Sequence, residues 1–236
     1  MPNRTLPSLR VALVQCGDGD RVERHVALLR AHADCDLVVF PELSLTGYVD
    51  ADAPERAVAL NDPAFGRIQQ ACDEGGVTAA VGAPLRFGRG LYIATVFMRP
   101  YASPEWYAKR HLHVDEAPFF TLGSRPPVAY VGDHVLGLGI CYESTLDTHL
   151  ADVFARDVDA YVVSAAKSAE ATSRAHVEFP KIAAIRGVPV LFSNDVGPAQ
   201  GFTCGGRSAW WDARGACVEA LGECAPGVLI APKVQG

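Results

Sequence analysis

Gly137-Leu138-Gly139-Ile140-Cys141-Tyr142-Glu143 joins a glycine-rich apolar run to a cysteine, a tyrosine and a carboxylate. The run over residues 135–140 reads as a strand, and residues 146–158 have helical spacing. A cysteine at a strand–turn–helix junction has the geometry of a nucleophile elbow. The tight turn lifts the side chain out, and the next backbone N–H can face an oxyanion. The Gly-x-Gly is no phosphate loop, because a third glycine is missing and the helix starts too late. The competing reading of Cys141 alone is a small buried apolar residue.

Outward from this junction the elements alternate. Strands are expected over residues 9–14, 37–40, 77–81, 92–98, 128–131, 160–163, 189–193, 208–212 and 227–231. Helices are expected over 21–33, with Asp20 as N-cap, over 62–72, with Pro63 at the first helical position, and over 179–186, ending at Gly187. Gly132-Asp133-His134 between two strands predicts a hairpin. The alternation predicts an α/β protein, and the hairpins make its sheets mixed.

The 236 residues, 49% of them hydrophobic, suffice for a sizeable core, and residues 1–236 are expected to form a single domain. A charged fraction of 20% with that apolar content excludes disorder. The net charge of −6 argues against a nucleic-acid partner, which requires a basic stripe. No apolar run reaches membrane-spanning length, and the opening Met1-Pro2-Asn3-Arg4-Thr5-Leu6-Pro7 has no apolar region of a signal peptide. The expectation is a cytoplasmic protein with no membrane partner. Seven cysteines without a Cys-x-x-Cys pair signal neither a disulfide framework nor a zinc site. His111 and His113 alternate along an expected strand with no carboxylate at ligand spacing, so no metal is expected.

Two further segments place charge at the end of an apolar run. Glu42 follows Val38-Val39-Phe40-Pro41, and Lys109 follows Trp106-Tyr107-Ala108 in an aromatic-rich strand. Singly, these read as a loop glutamate and a surface lysine with a buried stem. Together with Cys141 they complete a chemistry. A thiol needs help to act as a nucleophile near neutral pH. An ammonium lowers its pKa and holds an oxyanion, and a carboxylate takes the proton.

In Phe40-Pro41-Glu42-Leu43-Ser44-Leu45-Thr46-Gly47-Tyr48, Tyr107-Ala108-Lys109-Arg110-His111-Leu112 and Gly139-Ile140-Cys141-Tyr142-Glu143, taken in that order, the chain resembles the nitrilase superfamily of carbon–nitrogen hydrolases. Val190–Asn194 and the run from Gly206 to Gly215 extend the likeness over nearly the whole chain. The resemblance implies a four-layer α-β-β-α sandwich, commonly a homodimer or higher homo-oligomer, with no metal or organic cofactor. It makes Glu42 the general base, Lys109 the oxyanion-stabilising cation and Cys141 the nucleophile. Glu116, in Glu116-Ala117-Pro118-Phe119-Phe120-Thr121-Leu122-Gly123, matches a second glutamate that positions substrate; its other reading is a surface carboxylate beside Asp115. Tyr142 would lend its backbone N–H to the oxyanion hole.

True nitrilases usually have tryptophan after the cysteine and a longer C-terminal tail. Tyr142 and the early stop favour an amidase acting on a small linear amide. N-carbamoyl hydrolysis on the same four residues is the alternative, and nitrile hydrolysis a less favoured one. Tyr48, Tyr142 and Lys167 are the substrate-binding candidates, with Lys167 read either as a partner for a substrate carboxylate or as an exposed helix-entry lysine. A Cys–His hydrolase using His134 or His149, and a non-enzymatic binding protein that kept the fold, are the readings from other classes. Phe202-Thr203-Cys204-Gly205-Gly206 is expected to be a flexible loop beside the pocket.

Overall fold

The computed structural model describes residues 9–17, 19–48 and 51–234. The elements in chain order are β1 (Leu9–Gln15), α1 (Arg21–Ala31), β2 (Leu37–Val39), α2 (Ala53–Arg56), α3 (Pro63–Gly75), β3 (Thr78–Phe87), β4 (Gly90–Met98) and β5 (Glu105–Ala108). Then come β6 (Val128–Val131), β7 (His134–Ile140), α4 (Asp147–Phe154), β8 (Ala160–Ala165), α5 (Ala169–Arg186) and β9 (Val190–Asn194). The hairpin β10 (Val196–Ala199) and β11 (Phe202–Gly205) precedes β12 (Ala209–Trp211), β13 (Cys217–Ala220) and β14 (Gly227–Val234).

Two six-stranded sheets result, ordered β14-β1-β2-β3-β4-β5 and β13-β12-β9-β8-β7-β6. In each the middle strands are parallel, β1-β2-β3 and β7-β8-β9, and the outer pairings are antiparallel. Both sheets are thus mixed, as the hairpins implied. Side chains alternate along each strand and sort into three cores. Val11 and Leu13 face Leu136, Leu138 and Val162 between the sheets. Ala12 and Val14 turn outward to Val26, Leu29, Phe65 and Ile68 of α1 and α3. Tyr161, Val163 and Phe192 turn the other way, to Leu150, Val153 and Phe179 of α4 and α5. Three cores between four layers are the α-β-β-α sandwich.

Local signals behave as their chemistry requires. Asp20 and Asp62 accept hydrogen bonds from Glu23 N and Ala64 N at the starts of α1 and α3. α5, however, begins ten residues before the expected start at 179. Its N-cap is Ser168, which accepts from Ala171 N, and Pro180 lies inside the helix. An interior proline removes one helical hydrogen bond; the burial of Phe179, Ile182 and Ala183 around it holds the helix together. α4 stops at Phe154, short of the expected 158. The Phe202–Gly206 stretch is not a loop throughout, because Phe202–Gly205 pairs with Val196–Ala199. His134 opens β7 instead of sitting in a turn. β5 ends at Ala108, so Lys109 is one residue past the strand and His111 and His113 lie in irregular chain. No described helix is long and apolar enough to cross a membrane.

Candidate active site

Glu42 follows β2, Cys141 follows β7, Ala166 follows β8, and Lys109 follows β5, which runs antiparallel to β4 and so parallel to β3. All four groups therefore leave the same carboxyl edge of the sandwich, where open α/β sheets place their ligands. Two glycines make this convergence possible. A Cβ on Gly82 of β3 would come within 2.1 Å of the Pro41 carbonyl oxygen, and one on Gly123 within 2.1 Å of the Ala108 carbonyl oxygen. Any larger residue would push away the chain bearing Glu42 or Lys109.

Lys109 is completely buried. Its Nζ donates to Glu42 Oε1 at 2.8 Å and to Glu116 Oε1 at 2.6 Å, which uses two of an ammonium's three donors. Glu42 Oε2 accepts from the Ala166 backbone N–H at 3.2 Å, and the Cys141 thiol points to the carbonyl of the same Ala166 at 4.0 Å. Glu116 is fixed by the His113 N–H at 2.7 Å and the Tyr48 hydroxyl at 3.1 Å. Two residues here hold a left-handed backbone without being glycine: Leu43 at φ 52° and Cys141 at φ 47°. Such strain costs on the order of 1–3 kcal/mol each and gathers at functional sites. At Cys141 it forms the elbow that the sequence suggested, opening into a five-residue 3-10 turn, Cys141–Thr145, before α4.

Burial raises the Glu42 pKa, and the Glu116 charge adds to this against the pull of Lys109. Burial also pushes the Cys141 thiol up to about 11, helped by the Glu42 charge and opposed by Lys167 and Lys109. Burial alone would lower the Lys109 pKa, but the charges of Glu42 and Glu116 outweigh it and hold the lysine firmly protonated. The resting site is thus a neutral thiol beside a carboxylate of raised proton affinity and a permanent cation.

Cys141 and Glu116 line a cleft of about 810 Å³, with Glu42 and Lys109 one layer deeper. Tyr48, Tyr142, Ala166, Lys167 and Phe202 form its nearer walls. Tyr48 meets Phe202 edge-on, with ring centres 5.2 Å apart, and Tyr142 meets His113 in the same way at 5.3 Å. Lys167 is 8% exposed rather than solvated, and its Nζ donates to the Cys141 carbonyl at 2.9 Å, so a substrate carboxylate would compete for it. Asn194 orders this wall: its Oδ1 accepts from Lys167 N at 2.7 Å, and its Nδ2 donates to Gly206 O at 2.8 Å and Thr172 Oγ1 at 3.0 Å.

The histidines offered for a Cys–His site do not line the cleft. His134 is at the far end of β7 from Cys141. His149 is buried, its pKa lowered chiefly by that burial, with Nε2 on the Leu138 carbonyl at 2.8 Å. Sequence reading also passed over Glu143, a fully buried carboxylate in the quoted stretch itself, three residues past the end of β7.

Lys109→Met would leave Glu42 and Glu116 facing each other with no cation. The expected cost is about 3–5 kcal/mol, that of breaking a buried ion pair from one side. The sign of its pH dependence follows from Glu42. Its folded pKa is already above the unfolded value of about 4.3 and rises further without the ammonium, so stability in the variant is lost as pH rises past that value. Urea unfolding at pH 5 and pH 8 should give a smaller wild-type-to-variant difference at pH 5. Equal differences at both values would contradict this electrostatic account.

Among curated proteins, an (R)-stereoselective amidase of a Pseudomonas species is 33% identical over 147 residues, which is 58% of this chain and 53% of that protein. A glutamine-dependent NAD(+) synthetase of Xanthomonas campestris is 31% identical over 118 residues, 46% of this chain and 21% of that protein. The chain thus spans about half the length of the first and a fifth of the second. Among solved structures, an amidase from a Nesterenkonia species superposes with a TM-score of 0.82 at 23% identity, covering 98% of this chain and 93% of the other. XC1258 from Xanthomonas campestris, a CN-hydrolase superfamily protein with an arsenic adduct in its active site, gives 0.85 at 19% identity over 97% and 91%. These structures share the fold. With residues 10–233 matching the carbon-nitrogen hydrolase family along its length, the chain belongs to that family.

Proposed function

We propose that the protein is a thiol amidohydrolase that releases ammonia from a small linear amide. The observation that carries this reading is the Lys109 ammonium bound between Glu42 and Glu116 beneath Cys141 at the base of the cleft. In the proposed cycle the Cys141 proton passes to Glu42 as the sulfur attacks the carbonyl carbon. The resulting oxyanion takes the third Lys109 donor and the Tyr142 backbone N–H. The C–N bond then breaks, ammonia leaves with the proton from Glu42, and a thioester remains. Glu42 next takes a proton from water, hydroxide adds to the thioester, and the carboxylic acid departs as Cys141 regains its proton. Glu116, fixed by His113 and Tyr48, positions Lys109 and the amide. Tyr48, Tyr142 and Lys167 bind substrate from the nearer walls.

Relatives support the chemistry. In a glutamate-to-glutamine mutant of the Nesterenkonia amidase, the acetamide moiety of fluoroacetamide adds covalently to the active-site cysteine. The Pseudomonas relative is an amidase. Seven free thiols, four of them buried, fit a reducing, cytoplasmic setting.

Amide hydrolysis should exceed hydrolysis of the nitrile of equal chain length by at least about 10²-fold in kcat/KM, or roughly 2.7 kcal/mol of transition-state stabilisation. An amide already carries the oxygen that Lys109 and the Tyr142 N–H would hold, whereas a nitrile must first form a thioimidate and take up water. An ammonia-release screen of matched amides, nitriles and N-carbamoyl amino acids measures this. A preference for the nitrile, or for the carbamoyl compounds, would displace the amidase reading and leave the Cys141 chemistry in place.

A further inference from the structure

Glu143 neither lines the cleft nor touches its reacting groups, yet both of its oxygens are bound to the chain that carries them. Oε1 accepts from the Tyr107 hydroxyl at 2.7 Å and from the Ile140 N–H at 3.0 Å. Oε2 accepts from the Arg110 N–H at 2.7 Å and the His111 N–H at 3.1 Å. Ile140 immediately precedes Cys141. Arg110 and His111 immediately follow Lys109, and Tyr107 is two residues before it. The two segments come from different sheets, at the end of β5 and the end of β7. Neighbouring side chains leave this carboxylate to its four donors. Arg110 reaches away to Asp152 at 2.6 Å, and burial keeps His149, 3.7 Å from Oε2, neutral.

We infer that Glu143 is a positioning residue: a buried carboxylate clamp across the two sheets that sets Lys109 against Cys141. This rests on the thiol chemistry proposed above. Hydrogen bonds from buried donors to an ionised acceptor are short and strong, and donors left without an acceptor must turn away. Lys109 has one further backbone tie on each side, its N–H to Ile93 O at 2.9 Å and its carbonyl from the Gly123 N–H at 2.8 Å. Beyond it, the chain leaves the sheet and is held by Glu143. Glutamine at 143 has the same shape but one oxygen only. Its NH₂ would face either the Ile140 donor or the Arg110 and His111 donors, and release one side of the clamp.

The test uses the full chain and two readouts. The first is kcat per alkylatable Cys141, with KM measured alongside. Glu143→Gln should lower kcat about 10²-fold, the effect of misplacing reacting groups by about 1 Å, and change KM less than about threefold. A purely architectural role would lower the folded fraction and the melting temperature but leave kcat per titrated thiol unchanged. The second readout needs no substrate. The rate at which iodoacetamide modifies Cys141 at pH 8, followed by peptide mass spectrometry, should fall about tenfold as the lysine moves from the thiol. Wild-type values for both readouts in folded Glu143→Gln overturn the clamp. Should that variant fail to fold, Tyr107→Phe removes one of the four bonds, and an unchanged kcat there overturns it equally. Amide hydrolysis that survived Cys141→Ala would count against the proposed function, while the alkylation rates would still decide the clamp.

Discussion

Cys141→Ala is expected to lower amide hydrolysis by at least about 10⁴-fold, the scale seen when a covalent nucleophile is removed from a site whose oxyanion donors remain. The residual rate would be that of positioning alone, since Lys109, Glu42 and Glu116 keep their mutual contacts without the sulfur. Chemical modification separates this cysteine from the other six. Cys16, Cys35, Cys72 and Cys204 are buried, and burial raises all four thiols, Cys72 to about 12. Cys217 and Cys224 are exposed and will react with iodoacetamide without chemical consequence. In a Cys217→Ser, Cys224→Ser background, activity should stay at wild-type level and should then fall in step with a single modification at Cys141. Loss of activity tracking modification of Cys204 or Cys72 instead would overturn the assignment. Cys204 is the instructive control, because burial and the nearby Asp195 and Glu42 charges raise its pKa, and it is sealed within β11.

The legibility of this site in the sequence follows from how local each signal is. Glu42 and Cys141 each end a short apolar strand, so their positions could be read from the neighbouring residues alone. Lys109 could be placed to within one residue, since the aromatic run Trp106-Tyr107 marks the strand it follows. α5 was misread because its N-terminal half mixes polar and small residues and buries only Thr172 and Ala175, while Pro180 imitates a helix start. Tertiary packing, not periodicity, extends that helix back to Ser168. The Phe202–Gly206 segment reads as a loop because Gly205-Gly206 and a lone cysteine carry little strand signal. In the structure Phe202–Gly205 pairs locally with Val196–Ala199 across Gln200-Gly201, a strand too short and too rich in glycine and proline to show an alternating pattern. Glu143 leaves no signal for a different reason, the distance of its partners along the chain. Three of its four partners are backbone N–H groups, two of them more than thirty positions away, and a backbone donor leaves no trace in a sequence. Lys167 illustrates the converse: a charged residue after small ones reads as exposed, but here the Cys141 carbonyl and Asn194 draw it inward.

Glu42→Gln is expected to cost about 10²–10⁴ in turnover, the range for loss of a general acid–base group. The geometry makes the substitution a clean one. Glutamine fills the same volume, its oxygen can still accept from Lys109 Nζ or from the Ala166 N–H, and the ion pair of Lys109 with Glu116 is untouched. What disappears is the proton acceptor beside a thiol whose own pKa, about 11, keeps it neutral near pH 7. Both halves of the proposed cycle need that acceptor, so thioester formation and thioester hydrolysis should slow together. Glu116→Gln should differ, impairing thioester formation more than hydrolysis by misplacing the amide. The pH profile supplies a second criterion. Glu42 must be ionised to act as a base, and burial holds its pKa above the ordinary carboxylate range. In wild type, kcat/KM should therefore fall on the acid side as Glu42 takes up a proton, at a pH above that of an exposed glutamate. In Glu42→Gln that acid limb should vanish, leaving a low rate that climbs with pH as the thiol itself ionises. A purified variant with near-wild-type turnover, or one that retains the acid limb unchanged, would remove Glu42 from the proton path and require a different base for Cys141.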